Sequence, residues 1–345
     1  MRIRLLTLLI LRFIIYNNSI ERGIPSENVF SDGCLYPQER NQFNMNPVKP
    51  QGFITNIQPF SLDDGPGIRT TVFFRGCNLR CAWCHNPECI PFQAVLRYNE
   101  SVCIGCGLCA ENCPNGCHQL DETGHVINRA ACSGCGACVS ACPAGALELN
   151  GRGYSEEELF KILDADHAFF KRSGGGVTFS GGEPVLQNIF LSGILKRCKE
   201  NGLHTAVDTA GNVLWEMFES ILPNTDLFLY DIKMITPEKH LEATGVRNDK
   251  ILENLTELCR RNAKIWVRVP IIPDFHNADE ISKIAAFLKD LPLERIELIP
   301  YHRYGVGKYK SLGVPYTLTC TEPSAEQMRE MAELFAGCHA ELVVQ

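Results

Sequence analysis

Cysteines at positions 77, 81 and 84 constrain this chain more than any other feature. They stand in the run Cys77-Asn78-Leu79-Arg80-Cys81-Ala82-Trp83-Cys84-His85-Asn86. Three thiolates at this spacing can hold three irons of a 4Fe–4S cube, which leaves the fourth iron open to another ligand. A cluster that only carries electrons takes a fourth Cys. An open metal position marks a working site, as it does for zinc. The run therefore suggests a cluster that does chemistry.

Composition narrows the setting. The chain has 345 residues and 18 Cys, with a formal net charge of -7 from 33 Lys+Arg and 40 Asp+Glu. No basic stripe stands out, which argues against a nucleic-acid partner. The cysteines fall in tight sets two residues apart, which suits shared metals better than a disulfide framework. That usage predicts a reducing, cytoplasmic compartment. Near the start, an apolar run over residues 5–11 is too short to span a bilayer and is interrupted by Arg12. No small-residue cleavage site follows it. Residues 1–50 are expected to be a disordered leader or an upstream-extended start, with Met45 a plausible initiator and no stable membrane association.

Beyond the leader, residues 51–345 alternate strand and helix patterns. Strands are expected over 70–76, 176–180, 205–209, 227–232, 265–271 and 295–300, as short apolar, often β-branched runs. Amphipathic helices are expected over 156–172, 186–201, 251–262 and 279–291. The first of these opens with Ser155-Glu156-Glu157-Glu158, a capping-box spacing. Alternation of this kind predicts an α/β fold with a parallel sheet. Six strands are too few for a full eight-fold barrel, so a partial (β/α)6 barrel fits better. Its active site would lie at the C-terminal strand ends.

Residues 90–150 interrupt this core and contain an internal repeat. Cys103, Cys106, Cys109 and Cys113-Pro114 recur as Cys132, Cys135, Cys138 and Cys142-Pro143. This is the bacterial ferredoxin spacing, twice, in which the fourth Cys ligates the other cluster. It predicts one cube on Cys103, Cys106, Cys109 and Cys142, and another on Cys132, Cys135, Cys138 and Cys113. Cys34, Cys89, Cys117, Cys198, Cys259, Cys320 and Cys338 lie off the pattern and are expected to be ordinary thiols. Gly174-Gly175-Gly176 precedes a strand and lacks the Gly-Lys-Ser/Thr ending, so it is not a phosphate loop.

The three-Cys run, its leader Asp64-Gly65-Pro66-Gly67-Ile68-Arg69 and Phe73-Phe74-Arg75-Gly76-Cys77 together resemble the radical S-adenosylmethionine enzymes. More narrowly, they resemble the activating enzymes of glycyl radical enzymes, the group containing pyruvate formate-lyase activase. The ferredoxin-type insert resembles the subgroup that activates decarboxylases, dehydratases and C–N or C–S lyases. The resemblance implies that Cys77, Cys81 and Cys84 ligate a catalytic cluster whose open iron binds S-adenosylmethionine. One electron cleaves this cosubstrate to methionine and a 5′-deoxyadenosyl radical, which removes hydrogen from a backbone glycine of a partner glycyl radical enzyme.

Further roles follow from the same resemblance. Trp83 and His85 would flank the adenosyl group. Gly182 would meet the methionine amino group, with Glu183 beside it. Asp231, Ile232 and Lys233 would meet the cosubstrate after the fourth strand, Arg268 in the fifth and His302 after the sixth. Asp64 would hold the partner's glycine loop, and Asp208 with Asp231 could bind a monovalent cation. The insert would relay electrons from a flavodoxin or ferredoxin. A different radical S-adenosylmethionine enzyme and a pure electron-transfer iron–sulfur protein are the rival readings. The identity of the partner is not legible in the sequence.

Overall fold

The computed structural model describes residues 51–122 and 124–345, so the expected leader over 1–50 lies outside the described residues. Thirteen strands are described: β1 (Gln51–Ser61), β2 (Arg69–Phe74), β3 (Val95–Tyr98), β4 (His118–Asp121), β5 (Gly124–Ile127), β6 (Leu147–Asn150), β7 (Arg152–Ser155), β8 (Gly176–Gly181), β9 (His204–Thr209), β10 (Leu227–Asp231), β11 (Ile265–Ile271), β12 (Arg295–Pro300) and β13 (Glu341–Val344). One nine-stranded sheet runs β13-β12-β11-β10-β9-β8-β2-β1-β7. From β2 to β13 every neighbouring pair is parallel. β1 pairs antiparallel with both β2 and β7. The six expected strands are β2 and β8 to β12, adjacent in chain order. Three more extend the sheet beyond the expected six, and its edges at β13 and β7 are separate, so it is an arc.

Local sequence explains the strands. Leu227-Phe228-Leu229-Tyr230 is buried throughout, as a parallel strand covered on both faces must be. β11 alternates instead, with Ile265, Val267, Val269 and Ile271 buried against the outer helices. Its other face then carries Trp266, Arg268 and Pro270, and the last two reach the cavity described below. Ser155 caps helix Glu156–Asp164 with a complete capping box. The expected helix 156–172 is two helices, Glu156–Asp164 and His167–Ser173. Between them Asp166 turns its carboxylate to the Thr70 hydroxyl, 2.7 Å away. No helix among the described residues is long and apolar enough to cross a membrane.

The segment from residue 90 to 150 leaves the sheet after β2 and returns at β7. It consists of two small antiparallel sheets, β3 with β6 and β4 with β5. The third Cys of each triplet sits in a short helix, Cys109 in Leu108–Glu111 and Cys138 in Ala137–Ala141. Each helix is preceded by a glycine of positive φ, Gly107 at 79° and Gly136 at 78°, a conformation that L side chains resist. The segment is tied to the sheet by Arg75, whose guanidinium donates to Asn150 O at 2.7 Å and Phe92 O at 3.4 Å.

Candidate active site

The C-terminal ends of β2 and β8 to β12 open into one cavity of about 780 Å³, and Cys77, Cys81 and Cys84 all line it. Their loop is held from several directions. Arg80 N–H donates to Thr244 O at 2.7 Å and Ala82 N–H to Ala243 O at 2.9 Å, so the end of helix Pro237–Thr244 clamps it. Cys77 N–H donates to Ile90 O at 3.0 Å. The Tyr309 hydroxyl donates to Cys84 O at 2.9 Å, and Lys308 joins Asn86 at 2.8 Å to Glu88 at 2.7 Å. Burial pushes the Cys77 thiol up to about 12 and raises Cys81 and Cys84 as well. Left alone these thiols stay protonated at neutral pH, so a bound cluster is needed to hold them as thiolates. Three converging soft donors in a partly open cavity fit that group.

A charged wall faces the thiols. The Lys233 ammonium lies 2.7 Å from Asp231 and is almost entirely buried. Burial alone would lower it, but the charge of Asp231 overturns this and holds it above its usual range. The pair is therefore not a surface ion pair. Arg268 stands 3.4 Å from Asp208 and 3.7 Å from Glu297. Burial pushes Asp208 up to about 6 although Arg268 opposes it. The Ser180 hydroxyl donates to Asp208 at 2.6 Å. Both carboxylates named as cation ligands thus already carry partners.

Also on the lining, the His85 and His302 rings stack at 4.0 Å, and Tyr304 follows at 4.4 Å from His302. Burial pushes His85 down to about 4, so it is neutral at neutral pH. His302 Nδ1 is buried with no hydrogen-bond partner. An orphaned polar atom in a cavity of this size suits a polar cosubstrate. Trp83 lines the cavity but packs its ring on Phe275 at 5.3 Å.

Three expected contacts are redefined. Gly182 lines the cavity, but its N–H is spent on Phe74 O at 2.9 Å, so only its carbonyl can receive an amino group. A Cβ there would stand 2.2 Å from Gly76 O, so crowding by its own chain demands glycine. Glu183 and Ile232 do not line the cavity; both are fully buried. Glu183 accepts from Thr209 Oγ1 at 2.8 Å, Ala210 N at 2.9 Å and Val185 N at 3.2 Å, bracing the end of β8 against β9. Asp64 does line the cavity and accepts from Thr71 Oγ1 at 2.7 Å.

In the insert, Cys103, Cys106, Cys109 and Cys142 line one small cavity. Cys113, Cys132, Cys135 and Cys138 line a second. These are the two quartets expected from the spacing, and their all-thiol donor sets fit 4Fe–4S cubes. Cys117, expected to be an ordinary thiol, is buried in the second cavity. His118 lines the second and His125 the first, and the two rings meet at 2.9 Å.

Comparison with known proteins bears on this geometry. A family model described as a 4Fe-4S single cluster domain matches residues 63–252. The chain is 42% identical over 296 residues to the trans-4-hydroxy-L-proline dehydratase activating enzyme of Clostridioides difficile, covering 84% of this chain and 96% of that protein. It is 38% identical over 279 residues to the choline trimethylamine-lyase activating enzyme of Oleidesulfovibrio alaskensis, covering 79% and 90%. The chain belongs to the glycyl radical enzyme activating enzymes. At the level of fold, this activating enzyme is also similar to Streptococcus suis SuiB bound to precursor peptide SuiA. The TM-score is 0.51 at 14% identity, with 97% of this chain and 61% of that chain covered.

As an activating enzyme, the protein uses a 4Fe–4S cluster and S-adenosylmethionine. Several residues that shape its site had no local signal in the sequence. Lys308 and Tyr309 reach the three-Cys loop from more than 200 positions away. Glu280, buried, accepts from Ile235 N at 2.7 Å and Thr236 N at 2.8 Å, and so anchors the start of the helix that clamps the loop.

Proposed function

We propose that Cys77, Cys81 and Cys84 hold the catalytic cluster, and that the charged wall and the stacked histidines hold S-adenosylmethionine against it. When bound, the cluster supplies the electron that cleaves the cosubstrate to methionine and a 5′-deoxyadenosyl radical, which takes hydrogen from a backbone glycine of a partner glycyl radical enzyme. Lys233 pairs with the carboxylate of the cosubstrate, and Asp231 keeps Lys233 charged and oriented. The Gly182 carbonyl accepts from its amino group. His85 and His302, with their stacked faces and one free ring nitrogen, flank its adenosyl part. Asp64, at the cavity edge, meets the partner's glycine loop. The observation that carries this reading is the meeting of three half-buried thiols with buried Lys233 and its partner Asp231 in one cavity at the strand ends.

In the same reading residues 51–345 are the catalytic core, and residues 90–150 are a ferredoxin-type insert with two further clusters. A flavodoxin or ferredoxin in the cytoplasm supplies the electron. The relatives serve different partner enzymes at comparable identity, 42% and 38%, so the partner has to be found by trial. The test incubates reduced, reconstituted protein with S-adenosylmethionine and a panel of glycyl radical enzymes, followed by electron paramagnetic resonance. A glycyl doublet with one member of the panel is expected. Intact S-adenosylmethionine after strong reduction would overturn the assignment.

A further inference from the structure

We infer that the two insert sites are not equivalent. The site of Cys113, Cys132, Cys135 and Cys138 is the inner one, coupled to the three-Cys loop. The site of Cys103, Cys106, Cys109 and Cys142 is the outer one, where an electron arrives. The inference rests on the reading that both insert cavities hold 4Fe–4S clusters.

The internal repeat lets the two loops be compared position by position, with Cys103 matching Cys132. Gly134 packs inward: a Cβ there would stand 3.3 Å from the Ala94 side chain. Its counterpart Gly105, with nearly the same backbone conformation (φ 66° against 69°), has nothing within 4 Å of that position. The next pair repeats the contrast, since Gly136 faces Leu149 at 3.7 Å whereas Gly107 faces open space. Cys106 and Cys135 are both exposed, but beside them the outer loop presents an apolar side chain, Ile104 at 66%, where the inner loop presents the polar Ser133.

From the inner loop, two chains of contact lead to the catalytic cysteines. In the first, Gly134 meets Ala94, and nearby Phe92 packs its ring on Gly76, next to Cys77. In the second, Arg129, three residues before Cys132, donates to Ser311 O at 3.0 Å. Ser311 lies on helix Val306–Leu312, whose Tyr309 holds Cys84 O. The segment before Cys103 meets the same helix through Lys310 and Glu100 at 3.1 Å, but that pair is between exposed side chains and is a weak tie. Cleavage of the sulfonium bond consumes one electron, and a one-electron carrier protein has to deliver it. Packing makes the outer loop the accessible end for that carrier and the inner loop the end that meets the three-Cys site.

The test uses the full chain with all clusters reconstituted and reduced by dithionite. Iron content is read first, and then the microwave power saturation of the three-Cys site's paramagnetic signal. Cys135→Ala with Cys138→Ala should slow relaxation of that signal several-fold, because its nearest spin is lost. Cys106→Ala with Cys109→Ala should leave it unchanged. Slower relaxation in the second variant, or equal effects in both, would overturn the order. Should either double variant fail to fold, Arg129→Gln and Lys310→Gln make the comparison with every cysteine kept. Only the first should alter relaxation, since Arg129 ties the inner loop to helix Val306–Leu312 whereas the Lys310–Glu100 pair is exposed, and equal effects would again overturn the order. Wild-type protein holding about four iron rather than about twelve would instead sink the underlying reading of the insert.

Discussion

Glu183 shows how a residue can be picked out by sequence for the wrong reason. Its place in Gly181-Gly182-Glu183 suggested a cosubstrate contact, but its carboxylate is enclosed by three donors. Burial pushes it up to about 7 from an ordinary 4.5. The folded protein thus binds this proton more tightly than the unfolded chain does. The associated stability is full below about 4.5 and is lost as pH rises through about 7. Glu183→Gln removes the titration and turns an NH2 toward at least one donor, at a cost of about 1–3 kcal/mol. The stability advantage of wild type over Glu183→Gln should therefore shrink between pH 4.5 and 7, as read by denaturant titration. Lys233→Met is a different case, because it strips the proposed carboxylate partner and leaves Asp231 unpaired. S-adenosylmethionine affinity, measured by calorimetry, should fall at least about tenfold, the equivalent of 1.4 kcal/mol. An unchanged affinity would remove Lys233 from the binding set.

At the scale of elements, the three-Cys loop depends on helices distant in sequence. Helix Pro237–Thr244 offers its last carbonyls to Arg80 and Ala82, and Glu280 satisfies the backbone just ahead of its first turn. Glu280→Ala leaves the part-buried N–H groups of Ile235 and Thr236 unpaired, a loss of about 1–3 kcal/mol in all. The expected outcomes are a lower melting temperature and faster release of iron from the three-Cys site to a chelator, with the insert sites unaffected. Equal acceleration at all sites would mean that the helix does not act through the loop. Glu280 was invisible as an anchor because its partners lie more than 40 positions away.

For the whole molecule, the strand-end rule organised the site correctly. All six expected strands sit side by side and their C-terminal ends share one cavity. The insert is a separate packing unit with its own apolar cluster around Leu96 and Leu147. Cys81→Ala should therefore abolish S-adenosylmethionine cleavage while keeping about eight of about twelve iron. Loss of all iron in that variant would contradict the separation of the two parts. β1, β7 and β13 were not anticipated. β1 lies between β2 and the edge strand β7 with much of its length exposed, so it lacks the continuous apolar run that marked the inner strands.

The sequence by itself determined the three-Cys loop, the two Cys quartets and the parallel order of six strands. These are carried by spacing and periodicity, which are local properties. The tertiary structure decided what no spacing encodes. It showed that Lys233 is buried against Asp231 rather than exposed, and that Gly182 is glycine because Gly76 crowds it. It showed that Glu183 braces strands instead of facing the cavity, and that Gly134 abuts Ala94 whereas its counterpart Gly105 faces open space. In each case the deciding partner comes from elsewhere in the chain, and only folding brings it within contact distance.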